Sequence, residues 1–298
     1  MRRVLRQPGD EVPLRAWESV SLANWLRYSL LKFQFNRVAC RPSAPAGRPA
    51  GGFEPGHCET GYTAGMDATQ RAVPTPDAAN PEMIYVRIPV GMLQCNCLII
   101  GDPKSREAIV VDPGDEVERI LSMLGRYKLS VKAIISTHAH IDHVGGLAKL
   151  HQYTGAPVMM HGEDLPLYNG MDVQAAFLGI PTPELTEVDH LIKEGDILPW
   201  GNYAAAVIHT PGHTPGSVSL FLPQECGTVK LAQPQLFAGD TLFAGSIGRT
   251  DLWGGSLEQI MESLNNKLMQ LPEDTLVHPG HGATTTIGEE KQSNPFLK

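Results

Sequence analysis

Six residues constrain this chain more than any other stretch: His138-Ala139-His140-Ile141-Asp142-His143, set just after the largely apolar run 131–136. Three imidazoles and a carboxylate packed this closely gain nothing for folding. Once protonated they repel one another, so the stretch is stable when cations fill it. The apolar run reads as a buried strand whose C-terminal end delivers these side chains to the edge of a sheet. His138 and His140, two apart on an extended segment, point the same way. Asp142 and His143, where the chain turns into the next helix, address a second centre.

Three later loops follow the same pattern, a His or Asp beside Gly or Pro at the end of a predicted strand. They are Thr210-Pro211-Gly212-His213, Phe237-Ala238-Gly239-Asp240 and His278-Pro279-Gly280-His281-Gly282. Together with the first cluster they supply seven candidate ligands: His138, His140, Asp142, His143, His213, Asp240 and His281. Imidazole nitrogen with carboxylate oxygen suits zinc, iron or manganese, whereas an all-thiolate set suggests structural zinc. Seven donors exceed what one ion with an open position needs and match two ions that share a bridging group. Ions about 3.5–4 Å apart can share a carboxylate and a hydroxide, and that hydroxide is a nucleophile near neutral pH. Lone histidines at strand ends are ordinarily plain loop residues, and His151, His161 and His190 are read that way.

The chain divides into two regions. Residues 1–80 place Trp17, Leu22, Trp25, Leu26, Leu30, Leu31, Phe33 and Phe35 among basic residues, a pattern compatible with a short amphipathic helix. A Pro- and Gly-rich stretch of linker composition follows. This extension is expected to be disordered or partly helical. Its Arg content and sparse acids also fit an organellar targeting segment, and Met66 or Met83 are alternative starts. From residue 83 to 298 the pattern is regular. Short strands are predicted over 83–88, 97–100, 108–111, 131–136, 157–160, 204–208, 217–222, 235–238 and 275–277. Helices are predicted over 116–127, 144–153 and 257–269. Early strands arrive without intervening helices and later ones alternate with them, which implies a mixed α/β sheet layered with helices.

Charge and cysteine content exclude several classes. Of 24 basic and 32 acidic residues, ten and seven lie in residues 1–80, leaving 14 and 25 for the remainder, a net of −11. Such a surface repels phosphate backbones, so no nucleic-acid partner is expected. Five cysteines in 298 residues make no disulfide scaffold and suit a reducing compartment. No apolar run reaches the roughly 18–20 residues of a membrane span. The expected location is cytoplasmic, or organellar if residues 1–66 act as a transit peptide. No oligomeric state is read from the sequence.

The motif His138-x-His140-x-Asp142-His143, followed in order by His213, Asp240 and His281, resembles the metallo-β-lactamase superfamily over residues 83–298. That resemblance implies an αββα sandwich with a binuclear site along one edge. It assigns His138, His140 and His213 to the first ion, Asp142, His143 and His281 to the second, and Asp240 to a bridge. Within the superfamily, His209-Thr210-Pro211-Gly212-His213-Thr214-Pro215-Gly216-Ser217, Gly239-Asp240-Thr241-Leu242-Phe243 and Pro279-Gly280-His281-Gly282 are most similar to the hydroxyacylglutathione hydrolase (glyoxalase II) branch in its short, single-domain form. The chain has Gly248-Arg249-Thr250-Asp251 where the long form carries a Lys/Tyr-containing glutathione-binding loop. It also ends 17 residues after His281, leaving no room for the helical C-terminal domain that helps hold glutathione there. These departures touch the thiol carrier more than the hydrolysis.

The reaction implied is hydrolysis of a small-molecule thioester of a 2-hydroxy acid, such as S-lactoylglutathione, by a hydroxide shared between two divalent cations, zinc first and iron or manganese as alternatives. Asp142 is the expected catalytic residue, orienting the hydroxide or taking its proton. Arg249 either grips a substrate carboxylate as a planar bidentate donor or pairs internally with Asp251. Gly145 and Gly146 either admit the backbone close to the site or simply turn the chain. Thr214 and Ser217 read as turn residues, and Cys95 and Cys97 as small buried apolar side chains. Alternatives in the same superfamily are a persulfide dioxygenase with one iron on His138, His213 and Asp240, and a lactonase, β-lactamase or other ester hydrolase. A non-catalytic metal-binding module is disfavoured because every ligand position is filled. A nuclease is disfavoured by the charge and by the absence of a long inserted domain.

Overall fold

Ile84, Val86, Ile88 and Val90 point to one side of the first strand and Tyr85 to the other, and this division by twos sets the layers of the molecule. A computed structural model of the chain describes residues 82–226 and 229–298. The expectations for residues 1–80 lie outside the described residues. The first sheet runs in the order β1 (Ile84–Val90), β2 (Cys95–Gly101), β3 (Glu107–Val111), β4 (Ser130–Ile135), β5 (Val158–His161) and β6 (His190–Ile192). β1, β2 and β3 pair antiparallel, and β3 to β6 pair in parallel. Parallel neighbours need crossovers, and helices supply them. α1 (Val117–Tyr127) precedes β4, α2 (Ile141–Val144) and α3 (Leu147–Thr154) precede β5, and α4 (Leu165–Asn169) and α5 (Met171–Leu178) precede β6.

The second sheet is built from β7 (Ile197–Trp200), β8 (Tyr203–His209) and β9 (Val218–Leu222). After the small pair β10 (Glu225–Cys226) and β11 (Val229–Lys230), β12 (Gln235–Gly239) joins it. A second small pair, β13 (Leu242–Phe243) and β14 (Ser246–Ile247), leads to α6 (Leu257–Asn266). β15 (Leu276–Pro279), β16 (Thr285–Thr286) and α7 (Ile287–Ser293) close the chain, giving the order β16-β15-β12-β9-β8-β7.

Three apolar layers hold four structural ones. Ile84, Val86 and Ile88 meet Val117, Ile120, Leu124, Leu147 and Leu150 on the outer face of the first sheet. Tyr85, Ile100, Ile109 and Ile135 face Trp200, Val207, Leu220 and Phe237 between the sheets. Leu236, Ala238 and Val277 meet Ile260, Leu264 and Ile287 on the far side. The result is the α/β arrangement expected, helix–sheet–sheet–helix. Among the described residues no helix is long and apolar enough to cross a membrane.

Several elements differ from the sequence expectation. The helix expected over 144–153 is two helices separated at Gly145 and Gly146. A Cβ on Gly146 would stand 2.3 Å from the Pro113 carbonyl oxygen. The Gly146 N–H donates to that same oxygen at 2.8 Å, so the break is where two loops touch. The helix expected to reach residue 269 ends at Asn266 and continues as a 3-10 turn, Leu268–Gln270. Residues 162–200, for which no element was predicted, form α4, α5, β6 and β7.

Strand direction positions the site. β12 and β15 are parallel, while β9 is antiparallel to both β8 and β12, so β8, β12 and β15 end at one edge. Val218 N–H at the start of β9 donates to the Thr137 carbonyl at 2.8 Å, joining the end of β4 to that edge.

Candidate metal centre

The loop after β4 carries His138 and His140, and α2 carries Asp142 and His143. The loops after β8, β12 and β15 bring His213, Asp240 and His281. All seven gather there in three overlapping groups, with the ligand atoms of each group within 4.8 Å of one another. The groups are His138, His140 and His213; His138, His143 and Asp240; and Asp142, His143 and His281. His140 Nδ1 lies 2.8 Å from His213 Nε2. His281 Nε2 lies 3.3 Å from His143 Nε2 and 3.2 Å from Asp142 Oδ2. Asp240 stands between the groups. Its Oδ2 is 3.6 Å from both His213 Nε2 and His281 Nε2, and its Oδ1 is 3.5 Å from His143 Nε2.

The hydrogen-bond network assigns the ring protons. Thr137 Oγ1 donates to Asp112 Oδ2 at 2.7 Å, so it accepts from His138 Nδ1 at 3.1 Å. His143 Nδ1 donates to the other acceptor lone pairs of Asp112 Oδ2 at 3.0 Å. His213 Nδ1 donates to the Arg249 carbonyl at 2.8 Å and His281 Nδ1 to the Leu93 carbonyl at 3.1 Å. Each of these four imidazoles therefore presents a bare Nε2 lone pair to the centre, the tautomer that outer partners impose on metal ligands. His138 Nε2 and Asp240 Oδ1 are buried and make no hydrogen bond at all. Buried acceptors without donors are costly. Two facing lone pairs at 3.3 Å need a cation between them, so these residues fit divalent metal ions.

Electrostatics agrees with that fit. Burial and then the neighbouring imidazoles hold His138 well below the usual histidine range and lower His140 to about 3, keeping both neutral. Burial opposes charge on His143, but Cys95, Asp240, Asp142 and Asp112 outweigh it and raise its pKa well above that range. His281 is raised too, burial being outweighed by Asp142 and Asp240. For Asp142 and Asp240 burial works upward, yet His143 foremost pulls both below the carboxylate range, so both are ionised. The half built around Asp142, Asp240, His143 and His281 thus attracts positive charge, and a divalent cation is the alternative to a proton there.

Other sequence candidates fall elsewhere. Arg249 Nε and Nη2 donate to Asp251 Oδ1 and Oδ2 at 2.7 and 2.9 Å, an internal pair with both side chains exposed. Cys95 and Cys97 are fully buried in the outer core of the first sheet. The Cys95 sulfur lies 3.4 Å from His143 Nδ1, and burial pushes its thiol up to about 12. Thr214 and Ser217 bond each other across the turn after His213. His161 gathers with Glu163 and His209, but its ring stacks on His209 at 4.1 Å and 17°. Parallel rings do not direct their in-plane lone pairs at a common ion.

Two functional carboxylates escaped the sequence reading. Asp112 closes β3 just before Pro113-Gly114, the same pattern that marked the ligand loops, so the signal was present. Besides holding Thr137 and His143 it accepts the Thr137 N–H at 2.7 Å. Asp164 had no such signal. It is buried and accepts from Ala139 N, Thr214 Oγ1 and Gly216 N at 2.8, 2.8 and 2.6 Å, tying the two histidine loops together.

Comparison with known proteins accords with this geometry. Residues 90–281 match the family model of the metallo-beta-lactamase superfamily. The chain belongs to that superfamily. It is 37% identical over 212 residues to a protein named hydroxyacylglutathione hydrolase GloC from Haemophilus influenzae, a match covering 70% of this chain and 96% of that one. Among solved structures, BLEG-1 B3 metallo-beta-lactamase is similar with a TM-score of 0.65 and 37% identity, over 72% of this chain and 99% of that one. TTHA1623 in a di-iron-bound form is similar with a TM-score of 0.62 and 40% identity, over 71% and 99% respectively. The metallo-β-lactamase sandwich thus spans the regular part of the sequence, and the motif loops occupy one of its edges.

Proposed function

We propose that the chain is a binuclear metal-dependent thioesterase acting on a 2-hydroxyacyl thioester such as S-lactoylglutathione. The observation that carries this reading is the set of Nε2 lone pairs on His138, His143, His213 and His281, aimed at one centre that Asp240 spans. In it His138, His140 and His213 would hold one ion and Asp142, His143 and His281 the other, with Asp240 standing between the two groups. Zinc suits this donor set, as do iron and manganese. The name of the GloC relative supports the thioester substrate. The three described cysteines are free and buried, in keeping with the reducing cytoplasm we assign it to. The partner we assign is a small molecule, and the acidic domain disfavours nucleic acid.

When bound, two divalent cations supply Lewis acidity that polarises a carbonyl and draws the ionisation of water toward neutral pH. The chain's residues do the rest. Asp142, kept ionised by His143 and His281, accepts a hydrogen bond from the attacking water and orients it toward the carbonyl carbon. Asp112 and Thr137 hold His143 and His138 in the required tautomers. The leaving thiolate departs without a proton, so no strong general acid is required. Arg249 has one edge of its guanidinium, Nε and Nη2, paired with the Asp251 carboxylate.

The test is hydrolysis of S-lactoylglutathione by the metal-loaded protein, with metal analysis of the same preparation and an Asp142→Ala variant alongside. We expect about two ions per chain, loss of turnover on chelation, and a variant slower by a hundredfold or more, on the order of a lost general base. One iron per chain with oxygen uptake on a persulfide would replace this reading with the dioxygenase. Near-normal turnover in the variant would remove the role given to Asp142.

A further inference from the structure

Beside the metal centre an open groove of about 380 Å³ runs between α4, α5 and the loop that follows β14, with Pro166, Leu167, Val173, Pro215 and Trp253 along its walls. That volume lies within the range of small-molecule sites, about 300–1,000 Å³. One wall of the groove adjoins the centre. The Trp253 ring stands edge-on to His140, 6.3 Å between centroids, and Phe177 extends the aromatic wall at 5.5 Å from Trp253. Val173 is 55% exposed and Phe177 66%, a large apolar area to leave in water on two successive turns of one helix.

The wall is selective in charge as well. Glu163 is its single ionisable lining residue, and it is exposed. Arg249 is not among the lining residues, and it is held by Asp251 through two hydrogen bonds. A 2-hydroxy acyl group of lactate size is too small to fill such a groove, so the larger half of the substrate, the thiol carrier, must occupy it. Glutathione brings two carboxylates and one ammonium. Setting those carboxylates against apolar walls and Glu163, within a domain of net charge −11, costs desolvation and repulsion with no cation among the lining residues to offset either.

We propose that this groove selects thioesters whose carrier thiol is apolar and free of negative charge, and that Trp253 and Val173 are its specificity-determining residues. The proposal rests on the thioesterase reading for turnover but not for binding, and it narrows that reading, ranking S-lactoylglutathione as a poorer substrate than the lactoyl ester of an apolar thiol.

Two experiments separate the readings. The first compares kcat/KM of the metal-loaded protein for two lactoyl thioesters that differ in the carrier alone, benzyl mercaptan and glutathione. The benzyl ester is expected to be preferred at least about tenfold, the scale of a single apolar contact in a specificity pocket. Trp253→Ala should lower that ratio by a similar factor. Val173→Arg, at an exposed helix position that tolerates the change, should lower the ratio by placing a cation on the wall. Equal or reversed preference, or a ratio that neither variant moves, overturns the proposal. The second experiment needs no turnover: tryptophan fluorescence of the protein and of its Trp253→Ala variant is followed during titration with benzyl methyl sulfide and with S-methylglutathione, the difference reporting Trp253 among the four tryptophans. Saturable quenching by the first at lower concentration than the second supports the groove even if neither ester is hydrolysed, in which case the thioesterase reading alone falls. Absence of quenching by benzyl methyl sulfide overturns the groove whatever the activity.

Discussion

Replacing Asp164 with alanine removes the carboxylate on which three donors from two ligand-bearing loops converge. Ala139 N lies between His138 and His140, and Thr214 Oγ1 and Gly216 N lie just beyond His213, all within 2.6–2.8 Å of the carboxylate oxygens. Burial outweighs the three donors and leaves the Asp164 pKa raised, so removing the donors' partner, rather than a charge the pocket favours, is what the substitution costs. A hydrogen bond to a charged group contributes about 1.5–3 kcal/mol, which for three gives roughly 4.5–9 kcal/mol before desolvation is subtracted. Desolvating a carboxylate costs several kcal/mol, so we expect a net loss of about 3–5 kcal/mol, the range for breaking a buried charged network. Asp164→Asn keeps the volume but turns an NH2 toward at least one of these donors, and should lose about 2–3 kcal/mol. Urea unfolding of the metal-free protein measures both, as a lower midpoint at unchanged slope. Because the carboxylate also sets the spacing of His138 and His140 from His213, metal affinity should fall by about 10–100-fold in the asparagine variant, read by competition with a chromogenic chelator. An alanine variant within about 1 kcal/mol of the parent, with an asparagine variant of unchanged metal affinity, would refute the claim that Asp164 couples the loops.

Two other changes test the geometry at different points. A Cβ at Gly280 would stand 2.1 Å from Asp240 Oδ1 and 2.8 Å from His143 Cε1, so Gly280→Ala should displace the spanning carboxylate and weaken metal binding at least about tenfold, and chelator competition showing no change would contradict that placement. His278 is buried on Tyr85 and Phe237, and burial first, then Arg87, lowers its pKa to about 3. The folded state therefore keeps it neutral, while the unfolded chain takes up a proton below about pH 6.5. Its stabilising contribution is complete above that value and is lost as pH falls toward 3, by about 2 kcal/mol at pH 5. His278→Gln should accordingly lose less stability between pH 7 and 5 than the parent, and parallel urea curves at the two pH values would count against the assignment.

The site was more legible than its supports. A ligand loop announces itself because imidazole and carboxylate beside Gly or Pro at the end of an apolar run have little other use, and the same pattern was present at Asp112-Pro113-Gly114. Asp164 has no local signature, since an acid after Gly162-Glu163 looks like any surface turn; its role exists because Ala139, Thr214 and Gly216 arrive from 25 to 52 residues away. Residues 162–200 were unreadable for a related reason. α4 and α5 have five and eight residues, too short for a period to stand out, and α5 buries Gln174 while exposing Val173 and Phe177. Gln174 is inside because its side chain accepts from Ile141 N and donates to the Ala139 carbonyl, again in the ligand loop.

Local pattern alone determined the strand-rich α/β class, the edge where loops would collect, and the identity of the donor atoms. These depend on neighbours a few residues apart, through alternation, turn chemistry and the affinity of imidazole and carboxylate for cations. Only the tertiary structure decided which nitrogen of each histidine faces the centre, which distant carboxylates hold those rings, and that Trp253 and α5 wall a groove beside them. Such properties belong mostly to hydrogen bonds and packing across 25 to 188 residues of chain, from the 25 between Thr137, the neighbour that orients His138, and Asp112 to the 188 between His281 and Leu93, and no short window contains both partners.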